Sequence, residues 1–281
     1  MSPRAPATGI VVEHRVSDDD PRHAAELLAR RSGLSRRVVK EAMTKGAVWL
    51  RRGGARRRLR RATAPLRVGD RVELYYDERV LKAEAPAARC LLEHERYSVW
   101  QKPAGLLSQG TDYGDHCSLL RQVELHRKGR GAYLVHRLDR ETSGLMLMAH
   151  DRKAAAALSA LFRTGAVTKR YRAVVLGDAD ARLGHEGILS GEVGGKAART
   201  TFRVLEVRSG GGRVVSEVEL LLGTGRTHQI RRQLAEAGLP VLGDPRYGRG
   251  NKNLEGLQLI ARALELTCPF TGEAVRVELP D

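Results

Sequence analysis

Cysteine is scarce in this chain: 281 residues hold three, Cys90, Cys117 and Cys268, far apart in sequence. With no CxxC pair, they suggest neither a disulfide framework nor a zinc site, and reduced thiols are expected. The nine histidines show no HExxH or other ligand spacing, so no metal is expected; no cofactor is expected either. Long apolar runs are also missing. None approaches the ~20 residues of a membrane span, and MSPRAPATGI lacks the apolar core of a signal peptide, which leads us to expect a soluble, cytoplasmic protein without membrane contact. Acidic residues are in deficit. Lys and Arg total 49 against 33 Asp and Glu, a net charge of +16 with a pI near 10.4, and that surplus favours a polyanionic partner through counterion release. Lysine is sparse beside arginine. Arginine suits forked phosphate contacts and stacking on bases, although a genome rich in G and C would give the same bias.

A chain of this length can bury one large core and a small one. After a tail over residues 1–12, Asp20 and Pro21 read as cap and first position of a helix through AAELLARRS, closed by Gly33. Ser35 opens a second helix whose Val38, Val39 and Met43 fall at helical spacing, with Gly46 at its end. AVWLRRGGARRRL reads as strand, glycine turn and basic strand, and LRVGDRVELYY as turn and strand. Residues 51–61 contain seven arginines: Arg51, Arg52, Arg56, Arg57, Arg58, Arg60 and Arg61. A charge run is commonly just a solvated face, but one framed by helices and strands is read here as binding RNA backbone. The module is placed at 13–80, an Ala/Pro-rich linker at 81–90 and a catalytic domain at 91–281. In that domain, apolar strands such as GLMLMAH, YRAVVLG and VVSEVELLL alternate with helices. DRKAAAALSALFRTG is capped by Asp151 and Gly165, and another helix runs from Thr227 to Gly238, with Arg231 in its first turns.

The most informative segment is HRLDRETSGL, His136 to Leu145. It sets Asp139 between Arg137 and Arg140, with Thr142 and Ser143 able to bond locally and Gly144 admitting the chain to the run LMLMA at close quarters. An isolated RLD would be an Asp bonded to its own turn. The full decapeptide resembles the active-site signature of the RluA-type pseudouridine synthases. TKRYRAVVLG (Thr168 to Gly177) is similar to that family's lysine-x-tyrosine-x-alanine strand, GRTHQIR (Gly225 to Arg231) to its third motif, and QKPAGLLSQG, around Lys102 to Gly105, to its lysine-proline-x-glycine opening. The four motifs stand in order over residues 98–231. Departures are Gln101 for asparagine, Arg232 and Gln233 where a hydrophobic residue and a histidine are common, and Ile260 for a frequent histidine.

The resemblance implies an α+β catalytic domain with a mixed, mostly antiparallel sheet, and makes the two-helix module with its strands similar to the alpha-L RNA-binding module. It implies an isomerase converting uridines of structured RNA to pseudouridine, ribosomal RNA favoured over transfer RNA, in a monomeric protein. Asp139 takes the essential catalytic role, Arg231 its salt bridge, and Tyr171 the stack on uracil. Arg137 is the candidate for the space the base vacates, Lys102 contacts phosphate or supports the active-site loop, and His136 and His228 hold backbone. Only one carboxylate is required, because the base never departs, whereas a glycosidase needs two. The other readings are a non-catalytic RNA-binding or ribosome-assembly factor on the same fold, and an aspartate-dependent base hydrolase. The intact Asp139, Tyr171 and Arg231 set opposes the first, and the lack of a second placed carboxylate the other.

Overall fold

A computed structural model describes residues 9–210, 212–248, 251 and 253–280. The chain divides into two compact units. One runs through Ala85 and also takes in Gln109–Gln122, and the other comprises Pro86–Ser108 and the chain from Val123 onward.

In the first unit the order is β1 (Ile10–Arg15), α1 (Ala24–Ser32), α2 (Arg36–Thr44), β2 (Val48–Arg52), β3 (Ala55–Arg58), β4 (Arg71–Tyr76) and α3 (Glu78–Lys82). The strands form a four-stranded sheet ordered β1-β4-β2-β3. Ser35 caps α2 by accepting from the Val38 amide, and Gly33 closes α1 in the left-handed region at φ 73°. Leu27, Leu28, Val39, Met43, Val48, Leu50, Val72 and Leu74 make the core between helices and sheet. Two sequence expectations are corrected. The cap of α1 is His23, without a side-chain bond. Asp20 instead ties the preceding loop, accepting from the Ser17 amide and hydroxyl and meeting His14 and Arg31. The strand β1 begins at Ile10, inside the expected tail; residues 1–8 of that tail lie outside the described residues. In the expected linker, only the stretch between Lys82 and Arg89 is irregular.

The second unit continues with β5 (Arg89–Glu93), β6 (Tyr97–Lys102), α4 (Leu119–His126, inside which the division falls), β7 (Tyr133–Leu134), β8 (Ser143–Ala149), α5 (Arg152–Thr164), β9 (Thr168–Leu176), α6 (Ala179–Leu183), β10 (Glu186–Glu192), β11 (Ala197–Gly210), β12 (Arg213–Leu222), α7 (Gln229–Glu236), β13 (Leu259–Thr267) and β14 (Ala274–Glu278). Ten strands form one sheet with the main path β10-β11-β12-β9-β13-β8-β6-β5. Every pairing is antiparallel except β13 with β8, where Ile260 faces Ser143 and Ala261 faces Gly144. The expected α+β class with a mixed, mostly antiparallel sheet is what the chain adopts. Buried Val99, Leu145, Leu147, Ala154, Leu158 and Leu264 form a core under α5, which is closed by Asp151 and Gly165 as its sequence indicates.

Gly144 carries the positive φ of 116°. A Cβ there would lie 2.3 Å from the Ala261 carbonyl oxygen. Only glycine lets the segment carrying Asp139 enter β8 so close to β13.

Candidate active site

Three of the four motif segments converge in the second unit on a cavity of about 670 Å³, lined among others by His136, Arg137, Asp139, Lys169, Tyr171, His228 and Arg231. Asp139 lies in the loop before β8, a quarter exposed. Arg231 is the third residue of α7 and is 2 % exposed. Its Nη1 donates to Asp139 Oδ2 at 3.2 Å, while Nε and Nη2 donate to the two oxygens of Asp244 at 2.8 Å each. The guanidinium is thus fixed as a fork by one buried carboxylate and presents its remaining edge to another. Burial opposes the charge on Arg231, but Asp244, then Asp139, outweigh it and raise its pKa. Burial would raise the Asp244 carboxyl; Arg231 and the amides of Tyr247 and Arg246 overcome it and hold the pKa below the usual range. Asp244, 1 % exposed, is absent from the sequence reading. It lies beyond the four motifs, in a segment, GDPRYG, that periodicity does not mark.

Why α7 starts where it does follows from Gln229. Its Oε1 accepts from Thr224 Oγ1 and the Arg226 amide, and its Nε2 donates to the Arg199 carbonyl and Thr200 Oγ1. The GTGRTHQ turn is thereby locked to β11. The helix therefore begins two residues after Thr227, and His228 takes a left-handed φ of 56°. This throws the imidazole of His228 toward the catalytic candidate: Nε2 is 3.5 Å from Asp139 Oδ1, and Nδ1 is 3.1 Å from the Tyr247 hydroxyl. His228 is more than the backbone support expected of it. Burial lowers its pKa, so the ring is neutral at pH 7, although Asp139 pulls the other way. His136 does hold backbone: its Nε2 accepts from the Leu147 amide at 3.0 Å and its ring stacks on Phe162, with burial pushing its pKa down to about 3.

Tyr171, 8 % exposed, lines the cavity from β9. Burial, then the charge of Asp139, raises its pKa and keeps the phenol protonated. Arg170 and Arg172 take the other face, meeting Glu265 and Glu217, as the two-residue period requires. Arg137 is exposed at the cavity wall. Lys102 is corrected as an RNA contact. It is fully buried, and its ammonium donates to the carbonyls of Pro103, Leu106 and Arg140, which is the loop-supporting alternative. Burial lowers its pKa to about 8 against the pull of Asp139 and Glu141.

The departures from the family pattern also find places. Gln233 is buried, accepting from Thr200 Oγ1 and donating to the Leu189 carbonyl. Arg232 pairs with Glu236 along the helix, and Ile260 fills the parallel ladder beside Ser143.

The arginine run of the first unit requires a larger correction. Arg51 and Arg56 pair with Glu73, and Arg52 grips Asp70. Arg56 also reaches Asp112 at 2.8 Å, and Arg58 and Arg60 converge on Asp115. The guanidiniums of Arg56 and Arg58 both lie over the ring of Trp49, 3.9 and 4.1 Å from its centroid, and the indole donates to the Asp112 carbonyl. Five of the seven are thus engaged in ion pairs within the unit. Arg57 and Arg61 are exposed and form no ion pair among the described residues. Sequence could count the arginines but not the carboxylates that folding brings to them from residues 70, 73, 112 and 115.

All three cysteines are free thiols. Cys90 nonetheless sits with Glu93 and His126 so that their ligand atoms lie within 4.8 Å of one another, a grouping that sequence spacing hides. Among the described residues no helix is long and apolar enough to cross a membrane.

Residues 96–236 match the RNA pseudouridylate synthase family. The chain is 31 % identical to the ribosomal large subunit pseudouridine synthase C of Yersinia pestis, over 90 % of this chain and 86 % of that protein. With the protein of the same name from Escherichia coli strain K12 it shares 33 % identity over 77 % of this chain and 73 % of the relative. Among solved structures, human RNA pseudouridylate synthase domain containing 1 superposes with a TM-score of 0.59 at 25 % identity, covering 69 % of this chain and 84 % of the human one. Fold, motif order and relatives agree, and the chain belongs to the RluA-type family of RNA pseudouridine synthases, isomerases that convert uridine in RNA to pseudouridine.

Proposed function

We propose that Asp139 is the essential catalytic carboxylate and that the enzyme modifies ribosomal RNA. The observation that carries the first part is the 3.2 Å contact between Asp139 and a buried arginine at a cavity that Tyr171 also lines. Isomerisation must break the bond from ribose C1′ to uracil N1, turn the base and rejoin it through C5. An ionised carboxylate serves as covalent nucleophile or as stabiliser of the charge formed. Arg231 beside Asp139 supplies the opposite charge that pairs with the carboxylate in the cavity.

The target base has to leave its stack to enter the cavity. Tyr171 receives it on its ring, and Arg137, exposed at the wall, stacks on the bases left behind. The relatives named for the ribosomal large subunit support ribosomal over transfer RNA. The first unit acts as an alpha-L RNA-binding module, with Arg57 and Arg61 as its phosphate contacts. Free thiols suit a reducing cytoplasm, where the enzyme works as a monomer. The test is to map pseudouridines in total RNA from cells lacking the protein, complemented by wild type or Asp139→Asn. Sites lost in the deletion should return only with wild type, and should lie in ribosomal RNA. Their return with Asp139→Asn would remove the aspartate from the reaction.

A further inference from the structure

Lys169 is a buried cation to which the chemistry above gives no task. It is 9 % exposed, stands on β9 and lines the cavity. No hydrogen bond or ion pair engages its ammonium among the described residues. Its neighbours in the site differ: Arg231 has carboxylates, and Lys102 has three carbonyl oxygens. An ammonium carries three donors and no acceptor, and burying one without a partner is costly. Buried charged groups without a protein partner concentrate at catalytic and binding sites.

Residues 169 and 171 share a face of β9, and same-face neighbours on a strand stand about 7 Å apart. A lysine stem spans that distance. The titratable groups around Lys169 include no carboxylate that offsets its burial. His136 feels its charge and is held neutral, and Tyr171 stays protonated. A phosphodiester at the mouth of the cavity meets the exposed Arg137, whereas the Lys169 side chain is nine-tenths buried.

We propose that Lys169 is a catalytic residue that donates a hydrogen bond to a carbonyl oxygen of the target uracil and stabilises the negative charge the ring acquires during isomerisation. This rests on the cavity being the uridine site. When the C1′–N1 bond breaks, its electron pair leaves with the base and spreads onto the ring oxygens. Addition of a carboxylate to the ring would place charge on the same oxygens. After the base turns, C5 gives an electron pair to C1′ and then loses its proton to water, while N1 takes one up, so product and substrate are isomers. A fixed cation beside the carbonyl lowers the energy of the charged stage and of little else.

The test compares Lys169→Met with wild type in single-turnover tritium release and in RNA binding across salt concentrations. The variant should react about 10²-fold more slowly, as when one oxyanion donor is removed, with RNA affinity within a few-fold and an unchanged salt slope. A normal rate, or weaker binding with the log–log salt slope reduced by about one, would overturn the proposal, the latter marking a phosphate contact. Should Lys169→Met fail to fold, wild type with 2-thiouridine or 4-thiouridine at the target decides, because sulfur accepts hydrogen bonds poorly. One of the two should slow by at least about tenfold; both reacting like uridine would overturn the idea. Asp139→Asn is run alongside. If it retains turnover, the reading of the cavity fails; if it is inactive while Lys169→Met is normal, only the lysine assignment falls.

Discussion

Arg231 is held by Asp244 through two 2.8 Å hydrogen bonds, and this pairing, more than its single contact with Asp139, fixes the guanidinium. Removing the arginine therefore strands a fully buried carboxylate as well as exposing the catalytic candidate to loss of its partner. Removal of one member of a buried pair typically costs about 3–5 kcal/mol. Arg231→Met should lower both the rate, by several orders of magnitude, and the stability of its unit, seen as a shifted urea midpoint. Asp244→Asn should reduce the rate without the total loss expected of Asp139→Asn. An unchanged midpoint in Arg231→Met would contradict the buried pairing.

Asp139→Asn should abolish isomerisation and leave RNA affinity within a few-fold, because binding is shared among many basic groups while the carboxylate acts in the chemistry. Tritium release from uracil-labelled RNA and filter binding measure the two effects separately. Turnover by the variant would place the reaction elsewhere.

His136 provides a pH signature. Its pKa in the folded protein is about 3, against 6.5 for the free side chain. Between these values the unfolded chain holds a proton that the folded protein does not, so stability rises with pH across that window and falls on acidification. His136→Gln removes this component. Urea melts of the two proteins from pH 7 to pH 4 should show wild type losing more stability than the variant, and parallel losses would show that the ring is not held neutral.

The arginine run should divide by exposure. Arg57→Ala with Arg61→Ala should weaken RNA binding and lower the log–log salt slope by about two, with little change in stability. Arg58→Ala with Arg60→Ala should mainly destabilise the unit, because Asp115, 8 % exposed, loses both partners. Equal salt slopes for the two double variants would mean that ion pairing does not decide which arginines are available to RNA.

What the sequence made legible was local or carried by motifs. Ser35, Asp151, Gly33 and Gly165 mark helix ends through chemistry within four residues, and all four act as read. Motif order brought out Asp139, Tyr171 and Arg231, and the structure gathers them at one cavity. What stayed hidden depends on long-range pairing. Asp244 stands 13 residues beyond Arg231, in a loop after α7 that has no periodic signal, and the Lys102 ammonium is buried because carbonyls up to 38 residues away turn toward it. His228 reaches Asp139 from a left-handed backbone conformation that few residues other than glycine adopt.

The first unit is assembled from two stretches of chain, and Gln109–Gln122 contributes Asp112 and Asp115 to its arginines. Such a unit is not one continuous stretch of chain. Recombination that carried the stretch ending at Ala85 to another enzyme would deliver Arg58 and Arg60 without the carboxylate that neutralises them, and would leave the donor with two aspartates and no cations. The shared ion pairs therefore tie the two stretches together energetically, because removing either one leaves half-buried charges in the other without partners.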